Sequence, residues 1–410
     1  MKNSVWILVI ALFFLAGCAK TAIEETKSPG LIFKDDVAFL KQHTQAVVLS
    51  DESGQAQVAV NPDLQGRVMT STAGGEGGAS FGWINRELLA SKENNVHMNA
   101  FGGEDRFWLG PEGGQFSIFF KKDAPFDLDN WFTPPLINEG GYDVAAQEKG
   151  RIVFKKAMHL VNYSGTEFDL ELAREVRLLT AEQVLALGVT VPAGVRAVAF
   201  QSDNKITNTG ANAWTKESGL LSIWILGMFN PSPQTTIVVP FKAGEEADLG
   251  PVVNDAYFGK VPADRLVVKD GALYFSGDGL YRSKIGISPK RAKPFAGSYD
   301  AAGRVLTIVH LTIPEGATDY VNSMWEIQKN PFDGDVVNSY NDGPASPGAK
   351  PLGPFYELES SSPAAALKPG ETQSHVHTTM HFQGEEKALD EIAKRVLGVG
   401  IEEIKSALKK

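Results

Sequence analysis

The sequence predicts an all-β fold of two packed sheets followed by a short helical tail. Residues 168–178 alternate between apolar and charged side chains, which is the period of a strand with one buried face. The 410 residues include 41 glycines and 22 prolines, a content typical of short strands joined by turns. Residues 389–397 change to the helical spacing i, i+3 and i+4, and Gly398 follows as a C-terminal cap. Many strands in one domain of this size indicate two packed sheets.

Short apolar runs extend the strand pattern through most of the chain. A helix is predicted first, over residues 35–43, because Val37 and Leu40 share one side. The runs that predict further strands are residues 46–49, 57–60, 67–70, 151–154, 195–200, 220–226, 235–239, 304–313 and 318–327. Residues 31–383 contain no repeat and no strong linker, so they are predicted to form one domain, followed by helices in residues 384–410.

The first residues are predicted to be a lipoprotein signal peptide. Lys2 gives a positive start, and residues 5–16 form an apolar run too short to span a bilayer. The run ends in Leu-Ala-Gly-Cys, which resembles a bacterial lipobox, so Cys18 is predicted to carry acyl chains such as palmitate. Residues 1–17 are then the signal peptide and residues 18–30 a lipidated tether. This predicts a protein of the bacterial cell envelope, lipid-anchored in the outer membrane, on a face that is left open.

The composition excludes several classes of function. With 43% hydrophobic and 21% charged residues, the chain is globular. Its formal net charge of −10 disfavours nucleic acid as a partner, because nucleic acids bind basic patches. The single cysteine permits no intrachain disulfide. The G-x-S-x-G, Walker A and H-E-x-x-H motifs are absent from the sequence.

Residues 94–114 hold the highest density of charged and aromatic side chains, set between glycine pairs that permit the close approach of a ligand. Carboxylates and an arginine beside a tryptophan suit a sugar, because they offer polar groups to the hydroxyls and an aromatic face to the ring. An ordinary structured loop with an internal Asp–Arg pair remains the alternative. The candidates are Glu104, Asp105, Trp108 and Glu112 for binding, Trp131 from a later loop, and His97 and Arg106 for catalysis.

Residues 330–362 form a second acidic segment. On a strand, Glu357 and Glu359 share one face, where one carboxylate can raise the pKa of the other and so create an acid or a base. A solvated polar face is equally compatible with the pair. Nearby loops contain Asp333 and Asp335, which leaves Ca²⁺ open, but the spacing matches no EF-hand and no metal or cofactor is assigned. The candidate binding residues here are Asn341, Asp342 and Glu359.

A histidine pair occurs in a late predicted strand. His375 and His377 share one strand face and could hold one metal ion, whereas His381 lies too far along to join them. Two histidines alone do not make a zinc site. The simpler interpretation is the polar outer face of a strand.

Three motifs in order resemble those of galactose-mutarotase-like proteins. They are GGEDRFWLGPE at residues 102–112, NTG at residues 208–210, and the stretch from Glu357 to the turn LKPGE at residues 367–371. The resemblance covers residues 45–383 and implies a β-supersandwich with a sugar cleft on a concave sheet face. More narrowly, the chain is similar to bacterial envelope lipoproteins that carry a mutarotase-like domain.

The resemblance also implies a chemistry. Aldose 1-epimerases of this fold use a glutamate to remove the anomeric hydroxyl proton and a histidine to protonate the ring oxygen. Glu357 best matches the base, with Glu359 as the alternative. The stretch where the family places its histidine reads GLLSIW at residues 219–224, so His97 or Arg106 would have to assist.

Three hypotheses follow for the function, and whether the chain is an enzyme stays open. It is an epimerase-type enzyme acting at an anomeric centre, a non-catalytic carbohydrate-binding module, or a structural envelope lipoprotein. The expected partners are a mono- or oligosaccharide and, through the lipid anchor, a membrane. Fold alone does not decide among them.

Overall fold

A computed structural model describes residues 31–408; the predicted signal peptide, Cys18 and the tether lie outside this range. The helices in chain order are α1 (Phe33–His43), α2 (Arg86–Ser91), α3 (Pro135–Asn138), α4 (Ala181–Ala186), α5 (Glu246–Leu249), α6 (Glu386–Val396) and α7 (Ile401–Ser406). The strands in chain order are β1 (Val47–Ser50), β2 (Gln57–Asn61), β3 (Arg67–Thr72), β4 (Arg106–Gly110), β5 (Asp143–Glu148), β6 (Arg151–Val161), β7 (Glu167–Leu178), β8 (Arg196–Asn208), β9 (Ser222–Phe229), β10 (Thr235–Pro240), β11 (Leu266–Lys269), β12 (Ala272–Ser276), β13 (Ser283–Ile287), β14 (Phe295–Asp300), β15 (Val305–Leu311), β16 (Val337–Asn341), β17 (Tyr356–Ser361) and β18 (Thr372–Gln383).

These strands form three antiparallel sheets. The largest has ten strands in the order β11-β12-β10-β14-β15-β18-β8-β7-β6-β5. A five-stranded sheet has the order β13-β16-β17-β9-β4, and β1, β2 and β3 form a small third sheet. Along β7, buried and exposed residues alternate as the sequence predicts, because one face of this strand packs on the core and the other meets water.

The ten-stranded and five-stranded sheets face each other across a buried core. Tyr356 on β17 and Ser298 on β14 are joined by a hydrogen bond of 2.7 Å between their hydroxyl groups. The hydroxyl of Ser360, also on β17, lies 2.8 Å from a ring nitrogen of each of His375 and His377 on β18. The predicted β-supersandwich with short C-terminal helices is confirmed.

The C-terminal helices cover the other face of the large sheet. Leu389, Ile392 and Ala393 on α6 are buried in one apolar cluster with Met380 and Phe382 of β18. Basic residues occupy the last turn of α6, where their positive charges interact favourably with the negative end of the helix dipole. No helix within residues 31–408 is long and apolar enough to cross a membrane.

Two sequence predictions about secondary structure are wrong. Residues 318–327 form no strand and instead make hydrogen bonds to the adjacent loop. The Tyr320 N–H donates to the Phe332 carbonyl, and the Gly334 N–H donates to the Tyr320 carbonyl. Conversely, residues 106–110 form β4 rather than a loop. Every residue of β4 is buried, so its sequence lacks the alternation that marks a half-exposed strand.

The polar outer face expected for His375 and His377 is also wrong, because both side chains are buried in the core. A hydroxyl has one proton, so Ser360 donates to one imidazole and accepts from the other. This arrangement satisfies one nitrogen of each ring without exposing either to water.

Candidate functional site

The outer face of the five-stranded sheet forms the floor of a pocket. Because side chains alternate along strands, the residues facing away from the core fall into rows across the sheet. Glu357 on β17 lies opposite Tyr340 on one side and Met228 on the other, and Tyr340 lies opposite Lys284. The floor residues are Arg106, Trp108, Trp224, Leu226, Met228, Lys284, Tyr340 and Glu357.

Loops complete the pocket, which has a cavity volume of about 210 Å³. The walls come from segments far apart in sequence, including the loop that follows β16. The wall residues are Met98, Glu112, Leu128, Trp131, Phe258, Arg282, Trp325, Asp342, Gly343, Ala345, Lys350, Leu352 and Phe355.

Two buried ion pairs occupy the floor. The Arg106 guanidinium lies 2.9 Å from the Glu357 carboxylate and 4.1 Å from the centre of the Trp108 ring. Lys284 lies 2.9 Å from the carboxylate of Glu359. Removing one partner of such a buried pair would leave an uncompensated charge, so each pair holds its side chains in place.

Three acidic groups that line the pocket have raised pKa values. Burial raises the pKa of the Glu357 carboxyl; the Arg106 guanidinium opposes this and the Glu359 carboxylate adds to it, with a net rise. Burial also raises the pKa of Glu112, although Lys284 opposes the rise. For Asp342, burial raises the pKa to about 6 against hydrogen bonds from Gly353 and Tyr340. Asp342, with a pKa of about 6, can exchange a proton near neutral pH.

Aromatic rings form a stack along one wall. The ring centres of Trp131 and Trp325 lie 5.9 Å apart with the planes at 25°, and the centre of the Phe119 ring lies 6.0 Å from that of Trp131, with the planes at 7°. The indole N–H groups of Trp108 and Trp131 are buried and have no hydrogen-bond partner among the described residues. Both tryptophans line the pocket, one in the floor and one in a wall, and buried donors of this kind are normally satisfied, so a ligand with oxygen acceptors fits here.

Sequence comparison places the chain in a family. The family described as "Family of unknown function (DUF6786)" matches residues 32–408. The chain belongs to this family. No curated protein matches its sequence.

Solved structures similar to this family member include a protein from Synechocystis sp. PCC 6803, at 13% identity and a TM-score of 0.49, covering 83% of this chain and 96% of that one. A galactose mutarotase-like protein from Lactobacillus casei has 9% identity and a TM-score of 0.46, covering 82% of this chain and 100% of that one. A galactose mutarotase related enzyme from Lactobacillus acidophilus has 10% identity and a TM-score of 0.45, covering 83% and 98%. These likenesses are too distant to assign an activity.

The structure brings many of the residues predicted from sequence to the pocket of the DUF6786 member. Glu359 does not line it directly; its carboxylate is buried and accepts a hydrogen bond of 2.9 Å from the Trp224 indole. The predicted residues that line the pocket are Arg106, Trp108, Glu112, Trp131, Asp342 and Glu357.

Besides Glu359, four predicted site residues do not line the pocket. Glu104 accepts hydrogen bonds from Ser71 and lies 2.8 Å from His381 in the core. Asp105, next to Arg106 but on the opposite face, is fully buried against Arg174 at 2.6 Å. These two carboxylates therefore hold the sheets together rather than meet a ligand.

Asn341 and His97 are the other two. Asn341 follows Tyr340 and points away from the pocket, where its side chain accepts from Gly279 N–H and donates to the Tyr281 carbonyl. The His97 ring lies 2.6 Å from the carbonyl oxygen of Trp131 and is not part of the lining. His97 thus contacts the backbone of Trp131 from outside the pocket.

The sequence reasoning missed several lining residues, above all Lys284 and Arg282. The sequence does contain an indication of Lys284. In the run SKIGI, a lysine stands between positions that alternate as in a strand, so it lies on the face opposite to the two isoleucines. Within residues 31–408, no group of three or more His, Asp and Glu side chains is placed to hold a metal ion. Asp335, considered for Ca²⁺, instead accepts hydrogen bonds from Tyr257 and Asn254.

Proposed function

We propose that the pocket binds one sugar ring and that Glu357 acts as a base in aldose 1-epimerase-type chemistry at the anomeric carbon. The observation that carries this proposal is the Glu357 carboxylate on the pocket floor, buried, with a raised pKa, and oriented by Arg106. The Trp131–Trp325 stack supports it, since the C–H face of a sugar packs on aromatic rings. The three sequence motifs that resemble those of mutarotases agree with this choice of base.

The reaction needs one proton acceptor and one donor. Glu357 takes the proton of the anomeric hydroxyl, the bond between the anomeric carbon and the ring oxygen breaks, and the ring oxygen takes a proton from an acid. After rotation of the aldehyde, the reverse transfers close the ring and restore both groups. We assign the acid to Glu112, which lines the pocket and whose pKa burial raises, a shift that favours its protonated form.

The experiment is exchange spectroscopy between α and β anomer signals of free sugars, with and without the protein. We expect faster exchange for at least one sugar, and a loss of roughly 10²–10⁴-fold in Glu357→Gln, the usual contribution of a general base. Glu167→Gln changes an exposed glutamate on β7 and serves as the matched control. An unchanged rate in Glu357→Gln would refute this assignment.

A non-catalytic carbohydrate-binding module is the second candidate. It is favoured by the fact that no histidine lines the pocket in the described part of the chain, although aldose 1-epimerases of the resembled family use one as the acid. This candidate predicts sugar binding without any acceleration of anomer exchange. Saturation-transfer NMR on the same samples separates the two, because it detects binding independently of turnover.

We also propose that Cys18 anchors the protein in the bacterial envelope through acyl chains, as its lipobox-like context suggests. The full chain should then incorporate labelled palmitate when it is expressed in bacteria, whereas Cys18→Ala should not. Labelled palmitate found in the Cys18→Ala protein would rule out this anchor.

A further inference from the structure

Two positive side chains of the pocket have no carboxylate partner. Arg282 is half-buried and Lys350 is exposed, and both line the pocket. Among residues 31–408, neither side chain makes an ion pair or a hydrogen bond, and the Arg282 guanidinium lies 3.8 Å from the centre of the neutral Phe258 ring. Carboxylates outnumber cations in this chain, which has a formal net charge of −10. Unpaired cations in one pocket therefore indicate an anion that comes with the ligand.

The acidic residue beside Arg282 does not neutralise it by contact. Arg282 directly precedes β13, and Asp342 directly follows β16, the strand that pairs with β13. One oxygen of the Asp342 carboxylate accepts a hydrogen bond of 2.9 Å from the Tyr340 hydroxyl, and the other accepts one of 2.9 Å from the Gly353 N–H. The carboxylate thus serves its own loop, and the N–H groups of Arg282 stay available to a ligand.

The other unpartnered atoms of the lining are donors too. The Nε atom of Arg106 and the indole N–H groups of Trp108 and Trp131 are buried and have no hydrogen-bond partner within the described chain. No lining residue in the range 31–408 has a buried oxygen that lacks a partner. The pocket therefore fits a ligand rich in acceptors, and an ionised carboxylate offers acceptors alone.

The local charge fits a carboxylate better than a phosphate. With all three groups ionised, Arg282, Lys350 and Asp342 leave one net positive charge at this side of the pocket. A carboxylate brings one negative charge, whereas a phosphate group brings about 1.5 to 2 at pH 7. The planar guanidinium of Arg282 also matches a carboxylate, which it can bind through two parallel hydrogen bonds.

Resting on the proposed function, we propose that the sugar is a hexuronic acid, whose carboxylate binds Arg282 and Lys350 while its anomeric hydroxyl meets Glu357 on the floor. A free hexuronic acid keeps its anomeric hydroxyl, so the proton transfers proposed for Glu357 apply to it unchanged. Glu357 lies on β17, and Arg282 lies two strands away, before β13, so different ends of one ligand reach the two residues. The cavity of about 210 Å³ suits a single ring of this kind, since larger ligands fill roughly 300–1,000 Å³.

The experiment measures, by NMR titration of the full chain, the affinities for D-glucuronate, D-galacturonate and D-mannuronate, each against its parent hexose. We expect the preferred uronate to bind roughly tenfold more tightly than its hexose, because charge-assisted hydrogen bonds are about twice as strong as neutral ones. The amide of the same uronate, which has a similar shape but no charge, should bind like the hexose.

A pair of double variants tests the two cations. Arg282→Gln/Lys350→Gln should lower the ratio of uronate affinity to hexose affinity to about one. Lys41→Gln/Arg196→Gln is the matched control, because it removes the same two charges from exposed positions on α1 and β8 that do not line the pocket. The control should keep the ratio near tenfold.

The outcomes separate this inference from the proposed function. Equal affinities for uronate and hexose, with anomer exchange of the hexose still accelerated, would overturn the inference alone. A uronate preference that survives in Arg282→Gln/Lys350→Gln would also overturn it, as would tighter binding of the matching hexose 6-phosphate or equally tight binding of acetate. Neither binding nor accelerated anomer exchange with any of these sugars would overturn the proposed function itself.

Discussion

When His375 and His377 are replaced with glutamine, the protein should lose less stability in mild acid. Both imidazoles are buried in the core. Burial, followed by the neighbouring His377, lowers the pKa of His375 to about 3. Burial likewise lowers the pKa of His377 to about 4, opposed by Asp105. Both rings are therefore neutral in the folded protein across the mildly acidic range.

The sign and size follow from proton linkage. In the unfolded chain the two histidines titrate near pH 6.5, so below that pH the unfolded state binds two protons that the folded state does not. The stability that the neutral rings contribute is full above pH 6.5 and is lost as the pH falls towards their folded-state pKa values. Between about pH 7.5 and 5.5 this amounts to about 3 kcal/mol for the pair.

The assay is urea unfolding of the unchanged protein and of His375→Gln/His377→Gln at both pH values. The variant can be less stable at every pH, because glutamine packs differently, but its loss on acidification should be smaller by about 3 kcal/mol. His159→Gln is the control with the opposite sign. A hydrogen bond from exposed His159 to Asp169 raises its pKa, so its contribution is present below pH 6.5 and lost as the pH rises. Equal losses in the unchanged protein and the double variant would refute the reasoning.

Three more changes test the buried contacts. Asp105→Asn should cost about 3–5 kcal/mol in urea unfolding, because it leaves the Arg174 guanidinium buried without its carboxylate; a cost below about 1 kcal/mol would contradict this. Because the pKa of Asp342 is raised to about 6, the unchanged protein loses stability as the pH rises through that value. Asp342→Asn lacks this loss, so its free energy of unfolding minus that of the unchanged protein should be about 1 kcal/mol larger at pH 8 than at pH 5. In Gly353→Ala, the added methyl group would lie 2.0 Å from a tryptophan ring and should lower the stability measured by thermal melting by about 1–3 kcal/mol. In the control Gly77→Ala, the methyl group meets no atom within 4 Å, so the same measurement should change little.

The strands that the sequence predicts best are those with one wet face. In β7 the charged residues lie on that face and the apolar ones on the core, so the period is visible in the sequence. Both faces of β4 are covered, one by the core and one by the pocket, and its residues are all buried. A strand that carries a binding site on its second face thus loses the signal by which strands are recognised.

The residue types of the site could be predicted, but not which neighbour faces the ligand. Asp105 and Arg106 are adjacent in sequence and lie on opposite faces of one sheet. The same holds for Tyr340 and Asn341. Moving a strand by one residue exchanges its faces, and only the pairing with other strands determines the register. That pairing joins segments more than a hundred residues apart, such as those of Arg106 and Leu226.

The tryptophans in the wall and floor also make intrinsic fluorescence a probe of the pocket. Within residues 31–408 there are six tryptophans, and four of them, Trp108, Trp131, Trp224 and Trp325, line the pocket. A ligand that enters contacts or lies close to four of these six indole rings at once. Trp83 and Trp214 lie outside the lining and contribute a nearly constant background. The intrinsic emission of the unlabelled protein should therefore report the occupancy of this pocket.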